Sequence, residues 1–264
     1  MATEGKKPSI RIVHVKRSIR LTHNMQRVTL TGPELIGFPS DRNGANLKLL
    51  LPDDGVSETD FRKLTEARER PTTRTFTVRA YRESENELDI DFVAHGDEGP
   101  ASRFAIHCAP QDYIGVAGPG PMKLNRLDAE WYLFCADMSA LPAAAAAMEN
   151  LPGSAKGVAF FEITDPSDTY PIAAPSGIQI NWLVHRKPRA PSYQQLARVK
   201  ALDWPPTSSI SVFAAGEHNS TMAIRDYLLK ELNIPRDRTY ISGYWKIGLI
   251  EDQHQIEKRE DAPL

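Results

Sequence analysis

The chain has 264 residues, enough for two cores of ordinary size, since single domains cluster near about 100–150 residues. Hydrophobic content of 41% and charged content of 25% are those of a globular protein, and no apolar run approaches the ~20 residues that span a bilayer. A net charge of -2 argues against a nucleic-acid partner, and two cysteines, Cys108 and Cys135, are too few for a disulfide framework or a four-thiolate cluster.

Met1 to Pro8 is polar and carries Lys6 and Lys7 with no apolar core behind them, so it does not read as a secretory signal. The expected compartment is the cytoplasm, without membrane insertion. Cys108 and Cys135 both lie among apolar neighbours and read as buried free thiols.

From Ile10 to Gly118 short runs alternate apolar and polar residues: Ile10–Lys16, Met25–Thr31, Leu47–Leu51, Phe76–Tyr81, Leu88–Val93 and Tyr113–Ala117. Period-two alternation between turn residues predicts an antiparallel six-stranded β-barrel. The charge-rich stretch Asp53–Thr73 holds a predicted helix, Glu58–Arg70, as an excursion over one barrel end, and Gly99–Ile106 reads as a short helix. After Gly118-Pro119-Gly120-Pro121 the texture changes. The apolar runs Trp131–Ala136, Gly157–Ile163, Ile180–Val184, Ser211–Ala215 and Tyr240–Ser242 alternate with helical patterns at Ala140–Asn150, Tyr193–Leu202 and Thr221–Leu232. Strands apolar on both faces and interleaved with helices predict an α/β domain with a parallel sheet covered on both sides. The boundary is expected between Pro121 and Leu127, giving domains 1–125 and 126–264.

Five segments carry candidate chemistry. In Arg74-Thr75-Phe76-Thr77-Val78-Arg79, alternate positions share a strand face, so the segment can present a cation to phosphate, a ring to a flat heterocycle and a hydroxyl to its ring nitrogen. An ordinary strand with Phe76 in the core is the plainer reading. Asp89-Ile-Asp91-Phe-Val-Ala-His95-Gly96, followed by Gly99-Pro100-Ala101-Ser102, looks like a strand end and a helix start, where free amides and the helix dipole make an anion site that suits a pyrophosphate. A capped helix and a scaffold histidine would look the same. Phe134-Cys-Ala-Asp137-Met-Ser139-Ala140-Leu-Pro crosses from a strand end into a helix start, where open α/β sheets bind ligands, so Asp137, Ser139 and Ala140 can face a flat cofactor ring such as a nicotinamide or a flavin. No G-x-G-x-x-G accompanies it. Ala215-Gly216-Glu217 repeats that crossing, with a glycine that permits close backbone approach and an acid that can cap the next helix. Arg186, Lys187 and Arg189 form a basic loop suited to a 2′-phosphate, to an acidic ferredoxin, or to neither.

Together these segments resemble the siderophore-interacting protein family of FAD-dependent ferric-siderophore reductases, which have a ferredoxin-reductase type of barrel followed by an α/β domain. The resemblance covers nearly the whole chain. It rests on Arg74-Thr-Phe-Thr-Val-Arg, Asp91-Phe-Val-Ala-His-Gly, Gly99-Pro-Ala-Ser, Gly118-Pro-Gly-Pro, Asp137-Met-Ser-Ala-Leu-Pro, Ala215-Gly-Glu and Ser242-Gly-Tyr-Trp-Lys-Ile-Gly, in the family's order. It departs from the family at Phe76, where tyrosine is usual, and at Ser139, where threonine is usual.

The resemblance implies FAD, with Arg74, Phe76 and Thr77 at the flavin ring and phosphates. It places Asp91, His95 and Gly96 on the ribityl or adenine side, and Gly99, Ala101 and Ser102 at the pyrophosphate. A ferric siderophore, usually an anion with iron sealed in hard oxygen ligands, would meet Lys48, Lys123 and Lys246, with Arg126 as a substitute for Lys123. NAD(P)H or a reduced ferredoxin would supply electrons. No residue of the chain is needed as nucleophile, general acid or metal ligand. A general flavin-dependent oxidoreductase and a non-catalytic siderophore carrier are the competing readings. The charged segment Glu251–Leu264 is expected to be helical.

Overall fold

The structure, a computed structural model, describes residues 10–67, 71–97, 99–122, 128–207, 209–250 and 253–254. Contacts divide the chain into two compact units, Met1–Leu21 with Met25–Met122, and Lys123–Leu264 with Thr22–Asn24.

The first unit is a sheet of seven strands: β1 (Arg11–Arg20), β2 (Met25–Thr31), β3 (Asn46–Leu51), β4 (Thr72–Thr77), β5 (Ala80–Arg82), β6 (Glu87–Val93) and β7 (Tyr113–Ala117). Their spatial order is β4-β3-β7-β1-β2-β6-β5, and every neighbouring pair is antiparallel. The outer strands β4 and β5 are consecutive in the chain, so the sheet curls into a half-barrel. Here the expected count of six strands is corrected to seven. The single strand predicted at Phe76–Tyr81 is broken because the backbone changes partner: the Val78 amide bonds the Ala45 carbonyl beyond β3, and the next amide, Arg79, bonds Asp89 on β6.

Alternation does what the sequence implies. Val13, Val15, Val28, Leu30, Leu47, Leu49, Leu88, Ile90, Phe92, Ile114 and Val116 bury into one core. Helix α1 (Glu58–Glu66) starts where the Ser57 hydroxyl accepts the Asp60 amide, and it buries Phe61 against Ile12 and Leu50. Helix α2 (Pro100–His107) packs Ala105 into the main core.

The second unit is a five-stranded parallel sheet of β8 (Trp131–Asp137), β9 (Lys156–Ile163), β10 (Gly177–Val184), β11 (Ile210–Glu217) and β12 (Thr239–Trp245), ordered β10-β9-β8-β11-β12. The chain runs outward from β8 to β10 and then restarts on the other side at β11, so the order reverses between β8 and β11. Both faces are covered, which is why the strands read as continuous apolar runs. Phe134, Phe161 and Phe213 pack on one face with α3 (Leu141–Glu149), whose alanines let it lie close to the sheet. Leu133, Phe160 and Val212 pack on the other with Val199 of α4 (Gln194–Lys200) and Ile224 of α5 (His218–Asp226). The predicted helix Thr221–Leu232 begins three residues earlier and ends in a wider π turn at Tyr227–Glu231. Both cysteines are free thiols, Cys135 buried and Cys108 half-buried. Among the described residues no helix is long and apolar enough to cross a membrane.

Candidate functional site

In the half-barrel, β4 carries Arg74 and Phe76 half-buried and Thr77 buried. The Phe76 ring lies 4.4 Å from that of Phe92 on β6, and Phe92 in turn meets Phe104 of α2 at 6.3 Å. One row of rings therefore joins β4, β6 and α2. Lys48 of β3 lies opposite Thr75, and its ammonium donates to the Thr75 hydroxyl, one residue from both Arg74 and Phe76. Lys48 also lines a shallow cavity of about 210 Å³ with Asn46, Leu47 and Ala117–Gly120.

After β6 the chain turns at His95 and Gly96, both exposed, with Gly96 at φ +97. Ser102 is buried. Its hydroxyl accepts the His95 amide at 3.1 Å and donates to the Gly96 carbonyl at 2.7 Å, folding the turn back onto the first turn of α2. Asp91 has a fully buried side chain whose carboxylate receives Arg27 through Nε at 2.6 Å and a terminal nitrogen at 2.8 Å, with Arg79 at 3.8 Å. It thus faces two guanidinium groups. Arg27 and Arg79 were not singled out in the sequence; Arg27 lies on β2 directly opposite Asp91, a pairing that only the register of the sheet reveals.

The α/β unit holds a second cluster where the strand order reverses. The Asp137 carboxylate, at the end of β8, accepts the Ser139 amide at 2.9 Å, the Ser139 hydroxyl, the Ala140 amide at 3.3 Å, the Glu217 amide at 2.9 Å and the Trp245 indole Nε1 at 2.7 Å. Burial pushes its pKa up, against the pull of these hydrogen bonds. Ala140 is fully buried at the start of α3 and Ser139 is half-buried. Glu217 caps α5 by accepting the Ser220 amide at 2.9 Å. On β9, Glu162 accepts the Ser192 hydroxyl, and burial raises its pKa too. Lys246 is half-buried just past β12. At the sheet edge the loop after β10 is braced by His185 Nε2 against the Ala190 carbonyl at 3.0 Å and by the Ala190 amide on Lys187 at 2.8 Å; Arg186 pairs with Asp165 at 3.2 Å. Lys123 and Arg126 lie outside the described residues.

Residues 14–122 match the family model of the siderophore-interacting FAD-binding domain, and residues 129–248 match that of the siderophore-interacting protein. The chain belongs to the siderophore-interacting protein family. It is 36% identical to the ferric vibriobactin reductase ViuB of Vibrio cholerae over 98% of this chain and 97% of that one. The crystal structure of the siderophore-interacting protein SipS from Aeromonas hydrophila matches with a TM-score of 0.82 at 31% identity, covering 96% of this chain and 98% of that one. A ferredoxin reductase of carbazole 1,9a-dioxygenase matches at TM-score 0.66 and 13% identity over 89% of this chain and 69% of that one, a likeness of fold alone.

The half-barrel of this family member fits FAD on its own geometry. Gly99, the N-cap of α2, brings no side chain of its own to the first-turn amides, the donors that a diphosphate uses at a helix N-terminus. The His95 ring bounds one side of that helix start: a Cβ at Gly99 would stand 3.2 Å from it, so a larger residue would have to push the ring aside. Because the Ser102 hydroxyl is occupied by the turn, Ser102 can offer a phosphate only its amide. The half-buried Phe76 ring offers an apolar face without a phenol.

Proposed function

We propose that the protein is a FAD-dependent ferric-siderophore reductase that acts in the cytoplasm, drawing electrons from NAD(P)H or a reduced ferredoxin and delivering iron as Fe(II). The observation that carries this reading is the uncapped start of α2 beside the Phe76–Phe92–Phe104 row, within the same unit as Lys48. The ferric vibriobactin reductase activity for which the V. cholerae relative is named supports it.

Bound FAD supplies the redox chemistry, taking electrons in pairs from a donor and giving them singly. The chain's own part is to bind and orient. The α2 amides of Ala101 and Ser102 hold the diphosphate, with Arg74 as its cation; Thr77 and Phe76 hold the ring; His95 and Gly96 shape the turn over the adenine side. Asp91 contributes by fixing Arg27 and Arg79. Lys48, Lys123 and Lys246 attract the anionic ferric complex: a charge pair about 4 Å apart gains about 1 kcal/mol in water and about 4 kcal/mol at an effective dielectric near 20. The iron stays in its siderophore ligands until reduction, and hard oxygen donors hold Fe(II) less firmly than Fe(III). On the donor side, the reversal point between β8 and β11 is where open α/β sheets bind nucleotides, and the braced cations Arg186 and Lys187 suit a 2′-phosphate.

The test is the visible spectrum of the purified protein. A flavin spectrum that is bleached anaerobically by NADPH, NADH or reduced ferredoxin and restored by ferric vibriobactin supports the reading and names the donor. A colourless protein that binds the ferric complex would make it a carrier. A flavin that is bleached but not restored would make it a general oxidoreductase.

A further inference from the structure

Lys246 stands between two anchored neighbours. The residue before it, Trp245, donates its indole Nε1 to Asp137 Oδ2 at 2.7 Å, and the amide of the residue after it, Ile247, points to Glu217 Oε1 at 3.4 Å. The Leu249 amide closes the turn on the Lys246 carbonyl at 3.1 Å. A lysine in an ordinary surface loop would lack this bracing.

The anchor reaches across the sheet. Asp137 ends β8 and Trp245 ends β12, with β11 between them. The carboxylate passes over Gly216 of β11, where φ is +146 and a Cβ would lie 2.6 Å from Asp137 Cγ, so any other residue would block the crossing. At the same place the β11–β12 register shifts, from Gly216 opposite Gly243 to Glu217 opposite Trp245, which brings the indole rather than Tyr244 to the carboxylate. Three sequence motifs that lie far apart, Asp137-Met-Ser, Ala215-Gly-Glu and Gly-Tyr-Trp-Lys, thus meet in one hydrogen-bonded knot. All five donors to Asp137 are uncharged amides, a hydroxyl and an indole. Its two oxygens are committed to the chain.

We infer that Asp137 is a positioning residue for ferric-siderophore binding: through Trp245 it fixes the strand end that presents Lys246, instead of touching nicotinamide or flavin. This rests on the reading of Lys246 as a contact for the anionic complex.

The experiment measures the affinity of the FAD-loaded protein for ferric vibriobactin across a salt series, with the indole N–H resonances recorded by 15N NMR. Lys246→Ala should weaken binding about fivefold and flatten its salt dependence, the size of one partly exposed charge contact. Asp137→Asn keeps the shape but turns one acceptor into a donor facing donors, and Trp245→Phe keeps a ring while deleting the bond. Each should weaken binding about threefold, as expected for one lost hydrogen bond that acts indirectly, and neither should weaken it further in the Lys246→Ala background. Asp137→Asn should also shift the one indole resonance that Trp245→Phe abolishes. If Lys246→Ala weakens binding while Asp137→Asn and Trp245→Phe do not, or if their effects add to it, the positioning role is overturned and the lysine contact stands. If Lys246→Ala changes nothing, the lysine contact fails and the positioning role falls with it. Should Asp137→Asn not fold, the milder Trp245→Phe decides alone by the same affinity criterion.

Discussion

The half-barrel and the parallel sheet both bury carboxylates, and they treat them in opposite ways. On β6, Glu87, Asp89 and Asp91 face guanidinium groups: Arg17 and Arg82 on Glu87, Arg82 on Asp89, Arg27 on Asp91. Hydrogen bonds led by Arg17 hold the Glu87 pKa well below the usual carboxylate range. For Asp89, burial works against the charge, but Arg82 and Thr29 outweigh it and the pKa is lowered. At the strand ends of the parallel sheet, burial is again the largest influence on Asp137 and Glu162, and there it wins: their hydrogen-bond partners are amides, hydroxyls and an indole, and Asp137 and Glu217 push Glu162 the same way against His185. What separates the two regions is the charge of the partners. Cationic partners make β6 a ladder of fixed ions; neutral dipoles leave the Asp137 knot a mesh of directional bonds suited to setting positions.

The sharpest way to break this contrast is to remove one rung of the ladder. Asp91→Ala leaves Arg27 and Arg79 without their carboxylate and should cost about 3–5 kcal/mol, the usual penalty for deleting one partner of a buried ion pair. Urea unfolding read by hydrogen exchange within residues 11–117 checks it, and a loss below about 1 kcal/mol would show the pair to be screened. In the knot, Gly216→Ala combines a collision at 2.6 Å with a positive φ, and should cost about 2–3 kcal/mol, read from exchange at β8 and β11. Glu217→Ala removes the cap of α5 and the acceptor of the Ile247 amide, and should cost about 1 kcal/mol, read from exchange in His218–Asp226 and at Ile247.

The smallest effect is in pH. Glu87 and Asp89 have folded pKa values below their unfolded ones, so their stabilisation is complete above the ordinary range and is lost as pH falls below about 4. Asp137 and Glu162 are shifted the other way, so the folded state holds their protons more tightly and their contribution declines as pH rises through the raised values. On acidification through the raised values of Asp137 and Glu162, protection factors, which correct exchange for its intrinsic pH dependence, should therefore rise at the ends of β8 and β9 while those of β6 hold, and acid below about pH 4 should lower those of β6. Equal responses in both regions would remove the distinction.

Much of this was legible along the chain. Strand alternation and apolar runs separate an antiparallel from a parallel sheet because they report how many faces of each strand are covered, and both sheets formed where those patterns lie. Gly216 and Glu217 read as close approach and cap, and both act so. The break at Val78–Arg79 was not legible, because each side of it alternates correctly and only the partner changes, from Ala45 to Asp89. The roles of Arg27 and Arg79 are hidden for a related reason: a charged residue on an outward strand face looks solvated until its cross-strand neighbour is known.

Local composition and periodicity were sufficient for the kinds of element, their order and the short motifs, since those depend on residues within a few positions of one another. Which oxygen of Asp137 meets Trp245, why Gly216 must lie between them, and that Asp91 faces arginines depend on registers between strands up to 108 positions apart. Those registers arise only when whole faces are buried together, so folding, and no stretch of residues alone, sets them.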